Sequence, residues 1–340
     1  WSHNNKSEKG CGGDNHQLPA DIYLGSLNSL YVFQNASAAL CVMGLMQQPP
    51  TDEIEKAINR GLEYLIMSPD TPRGTADTFY NIWSNSYVLQ CLCTAIQDER
   101  YAKLKPRLKL RAELELKRLL ELQALDGGWG YYDFGNSLKR SSGDISTTFS
   151  TAAALVALRE ARRIDLPIHD HNIQIALDYL ERLRVPNGAY FYSTGHKYSP
   201  MWDPNLPRGS LGRSQGGDNA LFTWDRTITT DTLKKQLDYF FKDHVFIEMG
   251  RSREYPHEAW YATAPYYYYY GHYYASRNVL ALPEDIRAGY SDKLAKLVVA
   301  GQYDDGSFWD YPLYGYTKAY GTGYGVMILS NLKKAARTSP

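Results

Sequence analysis

The sequence predicts an all-α fold in which inner and outer helices alternate and close into a double ring. Two classes of helical segment follow each other along the chain, one amphipathic and one apolar or aromatic on nearly every side. A short motif of Gly and an aromatic residue also recurs about every sixty residues, which is room for two helices, a turn and a loop. The 340 residues, 44% of them hydrophobic, suffice for one large domain over 1–340.

The recurring motif is clearest in QALDGGWGYYDF, which begins at Gln123, and in GQYDDGSFWDYP, which begins at Gly301. In both, Gln is followed three residues later by Asp, then by Gly, a small residue and an aromatic residue. RVPNGAYFY is a weaker copy, and the segments around Asp70 and Gly250 fall at similar spacing. We interpret the motif as structural, because Gly permits a tight turn after an outer helix while Gln and Asp hydrogen-bond its ends.

Six segments rich in small and aromatic residues are predicted to be buried inner helices. They cover 28–46, 77–97, 144–163, about 219–228, 257–278 and 315–333. Five amphipathic segments are predicted to be outer helices: 52–67, 104–123, 170–184, 230–248 and 285–302. Since the inner helices outnumber the outer ones, we expect one outer helix to be missing upstream of Trp1.

Tyrosine is the compositional outlier, with 29 residues against 10 phenylalanines. Eight of the tyrosines fall in HEAWYATAPYYYYYGHYYAS, residues 257–276. Because Tyr combines an apolar ring with a polar tip, some of these rings are expected to pack sideways and others to point into a central cavity. Pro265 predicts a kink in this helix or a fresh start after it.

The charge balance gives no reason to expect a nucleic-acid partner, since Lys plus Arg and Asp plus Glu are both 37. The longest apolar runs are too short for a transmembrane segment. The four cysteines and the histidines lack zinc-ligand spacing, so no metal and no cofactor are predicted. The sequence does not determine whether Cys11 forms a disulfide. It also does not determine the cellular compartment, although a periplasmic or extracellular location is favoured over a cytoplasmic one.

The Q-x-x-D-G-G-W ends and DISTTFSTAAALVAL, which opens an inner helix, resemble the repeats of squalene-hopene cyclases and of protein prenyltransferase β-subunits. The resemblance covers nearly the whole chain and implies an α6–α6 toroid. The sequence looks most like bacterial proteins of planctomycete type that are named only for their prenyltransferase/squalene-oxidase repeats. The segments YNIWSNSYVLQ, RGSLGRSQ and DGSFWDYPLYGYTKAYGTGYGVMIL carry that closer match.

The chemistry of the resembled enzymes is not expected here. The sequence contains no D-x-D-D acid of the cyclases, and its nearest relic is Asp144 followed by Ile-Ser-Thr. It also lacks the Asp-x-Cys pair with which prenyltransferases hold zinc, and the last inner helix offers Thr317 and Lys318 instead of a histidine. The GCGGDN segment around Cys11 lacks the Glu-Gln pair that an internal thioester requires.

Candidate site residues are expected at one mouth of the ring, where loops join the helices. The irregular segment 193–218 is predicted to be a long loop or lid whose Arg213 and Gln215 grip a ligand, or simply a structured surface loop. His257 and Glu258, at the entrance of the tyrosine segment, are candidate acid–base residues, or Glu258 caps a helix. Three tyrosines complete the predicted ligand site: Tyr261, Tyr268 and Tyr316.

Two classes of function are expected. The first is a non-catalytic toroid that binds a small lipid or sugar in a tyrosine-rich cavity, or that serves as a structural subunit with a protein partner in a larger assembly. The alternative is an enzyme acting on a carbohydrate, in the manner of a lyase, or on an isoprenoid in the same cavity. The state of the central cavity discriminates them: an open pocket favours binding or catalysis, and a plugged one favours a structural role.

Overall fold

The computed structural model describes residues 27–73, 80–133, 139–141, 146–251, 253, 255, 257–311 and 315–337. The helices follow in chain order as α1 (Leu27–Met46), α2 (Asp52–Met67), α3 (Asn81–Ile96), α4 (Lys105–Glu121), α5 (Thr148–Arg163), α6 (Asp170–Leu183), α7 (Leu211–Thr223), α8 (Thr230–Lys242), α9 (Val245–Glu248), α10 (Tyr267–Leu280), α11 (Glu284–Ala300) and α12 (Tyr316–Ala336). Two short strands, β1 (Trp129–Gly130) and β2 (Ser146–Thr147), pair antiparallel. The further outer helix was expected upstream of Trp1, and both Trp1 and Cys11 lie outside the described residues.

The inner ring consists of α1, α3, α5, α7, α10 and α12, each packed against the next. The ring closes because α12 packs against α1. Glycines permit the close approach at this seam: a Cβ on Gly323 would lie 2.9 Å from the backbone carbon of Leu40, and one on Gly44 would lie 3.2 Å from the Gly323 oxygen. The predicted α6–α6 toroid is therefore confirmed.

The outer layer consists of α2, α4, α6, α8 and α11, each of which packs on the inner helix that precedes or follows it. These helices are amphipathic, and α2 buries Ile58, Leu62 and Leu65 while its charged face stays in solvent. Threonine caps begin two of them: the Thr51 hydroxyl accepts a hydrogen bond from the Ile54 amide at 3.2 Å, and Thr229 caps α8 in the same way.

Helix α1 is the one described helix that is long and apolar enough to cross a membrane. Its apolar composition has another explanation in the fold, because α1 packs between α12 and α3 and contacts the outer helix α2. An inner helix of the ring is covered on most sides, and such a helix carries apolar residues all round.

Three copies of the glycine motif form the same turn. Gly127, Gly188 and Gly306 all have positive φ, at 95°, 89° and 81°, which a residue with a Cβ adopts only with strain. In each copy the side chain before the glycine accepts a hydrogen bond at about 3 Å from the amide two residues on; the acceptors are Asp126, Asn187 and Asp305. The following aromatic residue is buried in all three turns: Trp129, Tyr190 and Phe308.

The structure differs from the sequence prediction at α7, which begins at Leu211 and not near residue 219. Arg213 and Gln215 therefore lie on a buried inner helix instead of in the loop. The sequence pattern did not reveal the first turns of α7, because this helix is rich in glycine, which lowers helix propensity. The glycines are required by packing: a Cβ on Gly216 would lie 2.5 Å from the Tyr270 hydroxyl, and one on Gly217 would lie 2.7 Å from the Tyr190 ring.

The tyrosine helix also begins later than predicted. Helix α10 starts at Tyr267, which confirms the fresh start after Pro265. The residues before Pro265 are not part of this helix, and His257, Tyr261 and Ala262 all have positive φ. Glu258 therefore lies outside the helix and cannot cap it.

Candidate functional site

A central cavity of ≈ 290 Å³ lies where five of the inner helices begin. Of its seventeen described lining residues, twelve are Tyr, Phe or Trp, and none is Asp, Glu, Lys or Arg. The lining consists of Phe33, Ala36, Ser37, Leu40, Tyr80, Trp83, Tyr87, Tyr131, Tyr132, Phe149, His257, Tyr266, Tyr270, Tyr311, Thr317, Tyr320 and Tyr324. The cavity is therefore open space walled by aromatic rings, not a plugged core.

The aromatic wall is built from rings that support each other. The Trp83 ring stacks on Tyr87 and on Phe149, with ring centroids 5.9 and 5.6 Å apart. Phe149 in turn meets Tyr270 edge to face at 6.0 Å. Because these residues come from α3, α5 and α10, the contacts tie three inner helices together around the cavity.

Most of the tyrosine hydroxyls at this wall are engaged with protein groups. Tyr80 and Tyr132 pair hydroxyl to hydroxyl at 3.0 Å. Two more hydroxyl pairs form between residues far apart in sequence, Tyr131 with Tyr192 and Tyr87 with Tyr324. The Tyr270 hydroxyl donates to the Phe149 carbonyl at 2.8 Å. The cavity consequently presents ring surface more than free donors and acceptors.

Burial keeps these phenols in their neutral form. Desolvation raises the pKa of Tyr87, Tyr131 and Tyr324 above that of a free tyrosine, because the phenolate would lose its water. At neutral pH the wall therefore carries no phenolate charge.

The buried carboxyl group of Asp310 lies directly behind the wall. Asp310 is fully buried and accepts a hydrogen bond at 2.9 Å from the hydroxyl of Tyr320, which lines the cavity. Desolvation raises the pKa of Asp310 to about 7, and the hydrogen bond from Tyr320 opposes this increase. Asp310 follows the buried aromatic of its turn by two residues, the position that Tyr131 and Tyr192 hold in the other turns.

His257 is a predicted site residue that lines the cavity. Its Nδ1 lies 2.6 Å from the Ala262 carbonyl oxygen, so this nitrogen carries the proton. The unprotonated Nε2 then accepts from the Tyr266 hydroxyl at 3.3 Å. Although the residue is exposed, desolvation of the imidazole lowers its pKa, and the bond to Ala262 opposes this. His257 is therefore neutral at pH 7.

The other predicted site residues with described side chains lie outside the cavity wall. Glu258 is exposed, and the Tyr261 hydroxyl accepts from Arg208 at 3.0 Å. Tyr268 faces the outer layer, where its hydroxyl donates to the Leu297 carbonyl of α11 at 3.5 Å. The side chain of Tyr316 is not among the described residues. Binding roles for these residues stay predictions.

Arg213 and Gln215 are buried between helices. The Gln215 side chain donates to the Gln236 carbonyl at 3.1 Å and accepts from Asn278 at 2.9 Å, which ties α7 to α8 and α10. Arg213 lies with its guanidinium 5.3 Å from the Tyr192 ring centroid, behind the wall.

Most residues of the wall are not among the site residues predicted from the sequence. Tyr131, Tyr192 and Asp310 share one position of the repeat, and alignment of the three turns would have grouped them. Trp83 and Phe149 carry no such signal, because they lie near the starts of inner helices whose residues are buried on every side.

Solved structures that resemble the fold include a mannanase, a terpene cyclase and a polysaccharide lyase. An α-1,6-mannanase of Salegentibacter sp. HEL1_6, in complex with α-1,6-mannotriose, is 13% identical, with 88% of this chain and 89% of that chain covered and a TM-score of 0.52. The type II terpene cyclase MstE from Scytonema, with geranylgeranyl dihydroxybenzoate, is 14% identical over 89% and 87%, with a TM-score of 0.48. A polysaccharide lyase is 13% identical over 88% and 89%, with a TM-score of 0.49. At these identities the likeness shows the toroid fold alone.

No family model matches the sequence, and no curated protein matches it. Among the described residues, no three His, Cys, Asp or Glu side chains are grouped as a metal site would require. Function therefore has to be argued from the cavity itself.

Proposed function

We propose that this protein binds an uncharged, largely apolar ligand of the isoprenoid class in its central cavity. The observation that carries the proposal is the aromatic wall: twelve of the seventeen described lining residues are Tyr, Phe or Trp. Burial of apolar ligand surface against such a wall contributes roughly 25 cal/mol per Å².

The size of the cavity supports a ligand larger than a single ring. An engineered protein cavity of roughly 150 Å³ binds benzene, and the cavity here is ≈ 290 Å³. A branched hydrocarbon chain or a fused bicyclic compound fits a space of this volume. The ligand can enter from solvent, because the wall residue His257 is exposed and marks an opening of the cavity.

The state of the hydroxyl groups favours an apolar ligand over a sugar. A sugar has to exchange its bonds to water for bonds to protein groups, or the unpaired hydroxyls cost free energy. Around this cavity the hydroxyls of Tyr87, Tyr131 and Tyr270 already bond to protein groups. Glycoside hydrolysis by acid and base uses two carboxyl groups at the bond, and none occurs among the described lining residues.

A second candidate function is catalysis in the same cavity. It rests on the pair of Tyr320 and Asp310, because a carboxyl group with a pKa of about 7 can exchange a proton at physiological pH through the phenol that it holds. Tyr320 is then the group that contacts the substrate, and Asp310 is its positioning partner and proton reservoir.

The test is a calorimetric titration of the protein with farnesol, a neutral isoprenoid alcohol, and in parallel with α-1,6-mannotriose. We expect farnesol to bind and the sugar not to bind. Ala36→Phe, which fills the cavity, should weaken farnesol binding at least ~10-fold. Tyr268→Phe is the matched control. The Tyr268 side chain lies on the outer side of α10 and does not line the cavity, so this change should leave the affinity unchanged.

Two outcomes would overturn the proposal. Binding of mannotriose without farnesol would assign the cavity to sugars. Failure of both probes, together with a large assembly and no small adduct in native mass spectrometry of the protein from its source, would assign a structural role. A third outcome would establish the second candidate function, catalysis: the wild-type protein converts the isoprenoid to a product, and Tyr320→Phe loses this activity while it still binds farnesol with the same affinity.

A further inference from the structure

A second, much smaller cavity lies behind the aromatic wall, between the first turn of α7 and the start of α10. Its volume is ≈ 10 Å³, which is space for one water-sized species. It is lined by Arg208, Gly209, Leu211, Gly212, Arg213, Ile247, Thr263 and Tyr267. None of these residues lines the central cavity, which lies on the other side of the Tyr267 ring, beside Phe149.

Three of the residues that line this small cavity each carry a buried polar atom with no hydrogen-bond partner among the described residues. These atoms are Nε of Arg213, Oγ1 of Thr263 and the hydroxyl of Tyr267. All three residues are at least nine-tenths buried. A buried donor without a partner costs about 1–3 kcal/mol, so three at one place indicate a bound species that accepts from all of them.

The charge at this place is unbalanced. No Asp or Glu oxygen within the described chain lies within 4 Å of the Arg213 guanidinium, whose Nη2 bonds only to the carbonyls of Pro204 and Tyr190. A buried cation that lacks an anionic partner is strongly unfavourable. Carbonyl dipoles and the Tyr192 ring reduce this cost but bring no negative charge.

Backbone amides add to the positive character of the cavity. Leu211 and Gly212 form the first turn of α7, and their N–H groups have no carbonyl acceptor among the described residues. The amides of a first helical turn carry partial positive charge and favour an anion. The residues that carry the guanidinium, the two hydroxyls and these amides all line one small space, and each of these groups is a donor.

We propose that this cavity binds one small monovalent anion, chloride under physiological conditions. The anion accepts from Arg213, Thr263 and Tyr267 at once, and it supplies the negative charge that the buried guanidinium lacks. Water fits the same volume but leaves the charge uncompensated. The site is independent of the ligand in the central cavity, although it supports the back of the aromatic wall through Arg213.

The direct experiment is a crystal grown or soaked in sodium bromide, with data collected at the bromine absorption edge. We expect one anomalous peak within about 3.5 Å of Arg213 Nε and of the Tyr267 hydroxyl oxygen. Absence of this peak, with ordinary water density at the place, would show that the cavity holds water alone and would overturn the proposal.

The solution experiment measures the unfolding temperature against chloride concentration, with sodium gluconate keeping the ionic strength constant. Chloride should raise it along a saturable curve that gives an apparent dissociation constant. Tyr267→Phe and Thr263→Val each remove a donor that has no protein partner, so both variants should fold. Each should weaken chloride binding ~10-fold, the effect of losing one hydrogen bond to a charged group.

Tyr269→Phe is the matched control, because the hydroxyl of Tyr269 donates to the Gly301 carbonyl at 3.3 Å on the other side of the same helix. It should leave the chloride curve unchanged. A chloride dependence that does not saturate, or that is the same in wild type, Tyr267→Phe and Thr263→Val, contradicts the proposed site.

Discussion

The turn at 123–129 and the turn at 302–308 repeat one motif, but they occupy different surroundings. In both, the Gln side chain donates to the carbonyl of the positive-φ glycine, Gln123 to Gly127 at 3.0 Å and Gln302 to Gly306 at 2.9 Å. The first turn is covered by helix α6, so that a Cβ on Gly127 would lie 2.3 Å from the backbone oxygen of Ile175. In the second turn residues 302–306 are exposed, and no described outer helix covers Gly306.

The surroundings shift the pKa of the shared Asp in opposite directions in the two turns. Desolvation under α6 raises the pKa of Asp126, opposed by hydrogen bonds from Gly128 and Ser146. The exposed Asp305 has a lowered pKa, chiefly because Lys318 donates to it at 2.7 Å. A repeat motif therefore specifies local geometry, while the neighbouring helix decides how much each of its contacts contributes to stability.

The largest expected effect is that of Gly127→Ala. The new Cβ meets both a positive φ and the Ile175 oxygen, so the free energy of unfolding should fall by about 4 kcal/mol or more. Gly306→Ala is the matched variant, because the nearest atom to its Cβ is Gln302 Nε2 at 3.9 Å; only the backbone strain of about 1–2 kcal/mol remains. If urea unfolding shows that both variants lose the same free energy of unfolding, the contact between Gly127 and α6 does not contribute as described.

The second prediction concerns the position at which the turns differ most, Asp310 in one and Tyr131 in the other. The raised pKa means that Asp310 keeps its proton in the folded protein at pH values where the unfolded chain loses it. Its contribution to stability therefore falls as the pH rises from about 4 through about 7. Relative to Asp310→Asn, the wild type should lose roughly 4 kcal/mol of unfolding free energy between pH 4 and pH 8.

The measurement is denaturant unfolding of both proteins at several pH values. The amide variant changes one hydrogen bond near Tyr269 at every pH, which shifts the whole curve but not its slope. A difference between the two proteins that stays constant with pH would show that Asp310 is ionised throughout and would remove the basis for its role with Tyr320.

The smallest expected effect comes from the glutamines of the two turns. Gln123 is buried and also exchanges hydrogen bonds with Asn172 of α6, at 2.8 and 2.6 Å. Gln123→Ala should cost about 2–3 kcal/mol, because carbonyl oxygens of Gly127 and Asn172 lose their donors in a buried place. Gln302→Ala should stay within about 0.5 kcal/mol in thermal unfolding, since Gln302 is exposed.

The sequence predicts the alternation of inner and outer helices because burial imposes a pattern on each class. It also predicts the turns, since positive φ requires glycine at one position and an Asp or Asn side chain before it. Helix α7 escapes prediction because its glycines serve close contacts with Tyr190 and Tyr270, which lie elsewhere in the sequence. A single-sequence pattern contains no information on such contacts until the ring is assembled.

The candidate site is predicted less well for the same reason. His257 was found because a histidine near a helix entrance is a recognisable signal, and it does line the cavity. Tyr268 lies on the outer side of α10. The sequence does not indicate this side, because consecutive tyrosines give no amphipathic pattern from which to choose a face. The buried, carboxylate-free surroundings of Arg213 likewise depend on three segments that only the fold brings together.

The seam between α12 and α1 has a consequence for how the molecule unfolds. An open stack of helical repeats has two free ends and can lose one terminal repeat at a time. A ring joined through Gly44 and Gly323 has no terminal repeat, so removing any inner helix exposes the faces of two neighbours at once. We therefore expect unfolding to be all-or-none. We also expect slow refolding, because it requires a contact between segments almost three hundred residues apart.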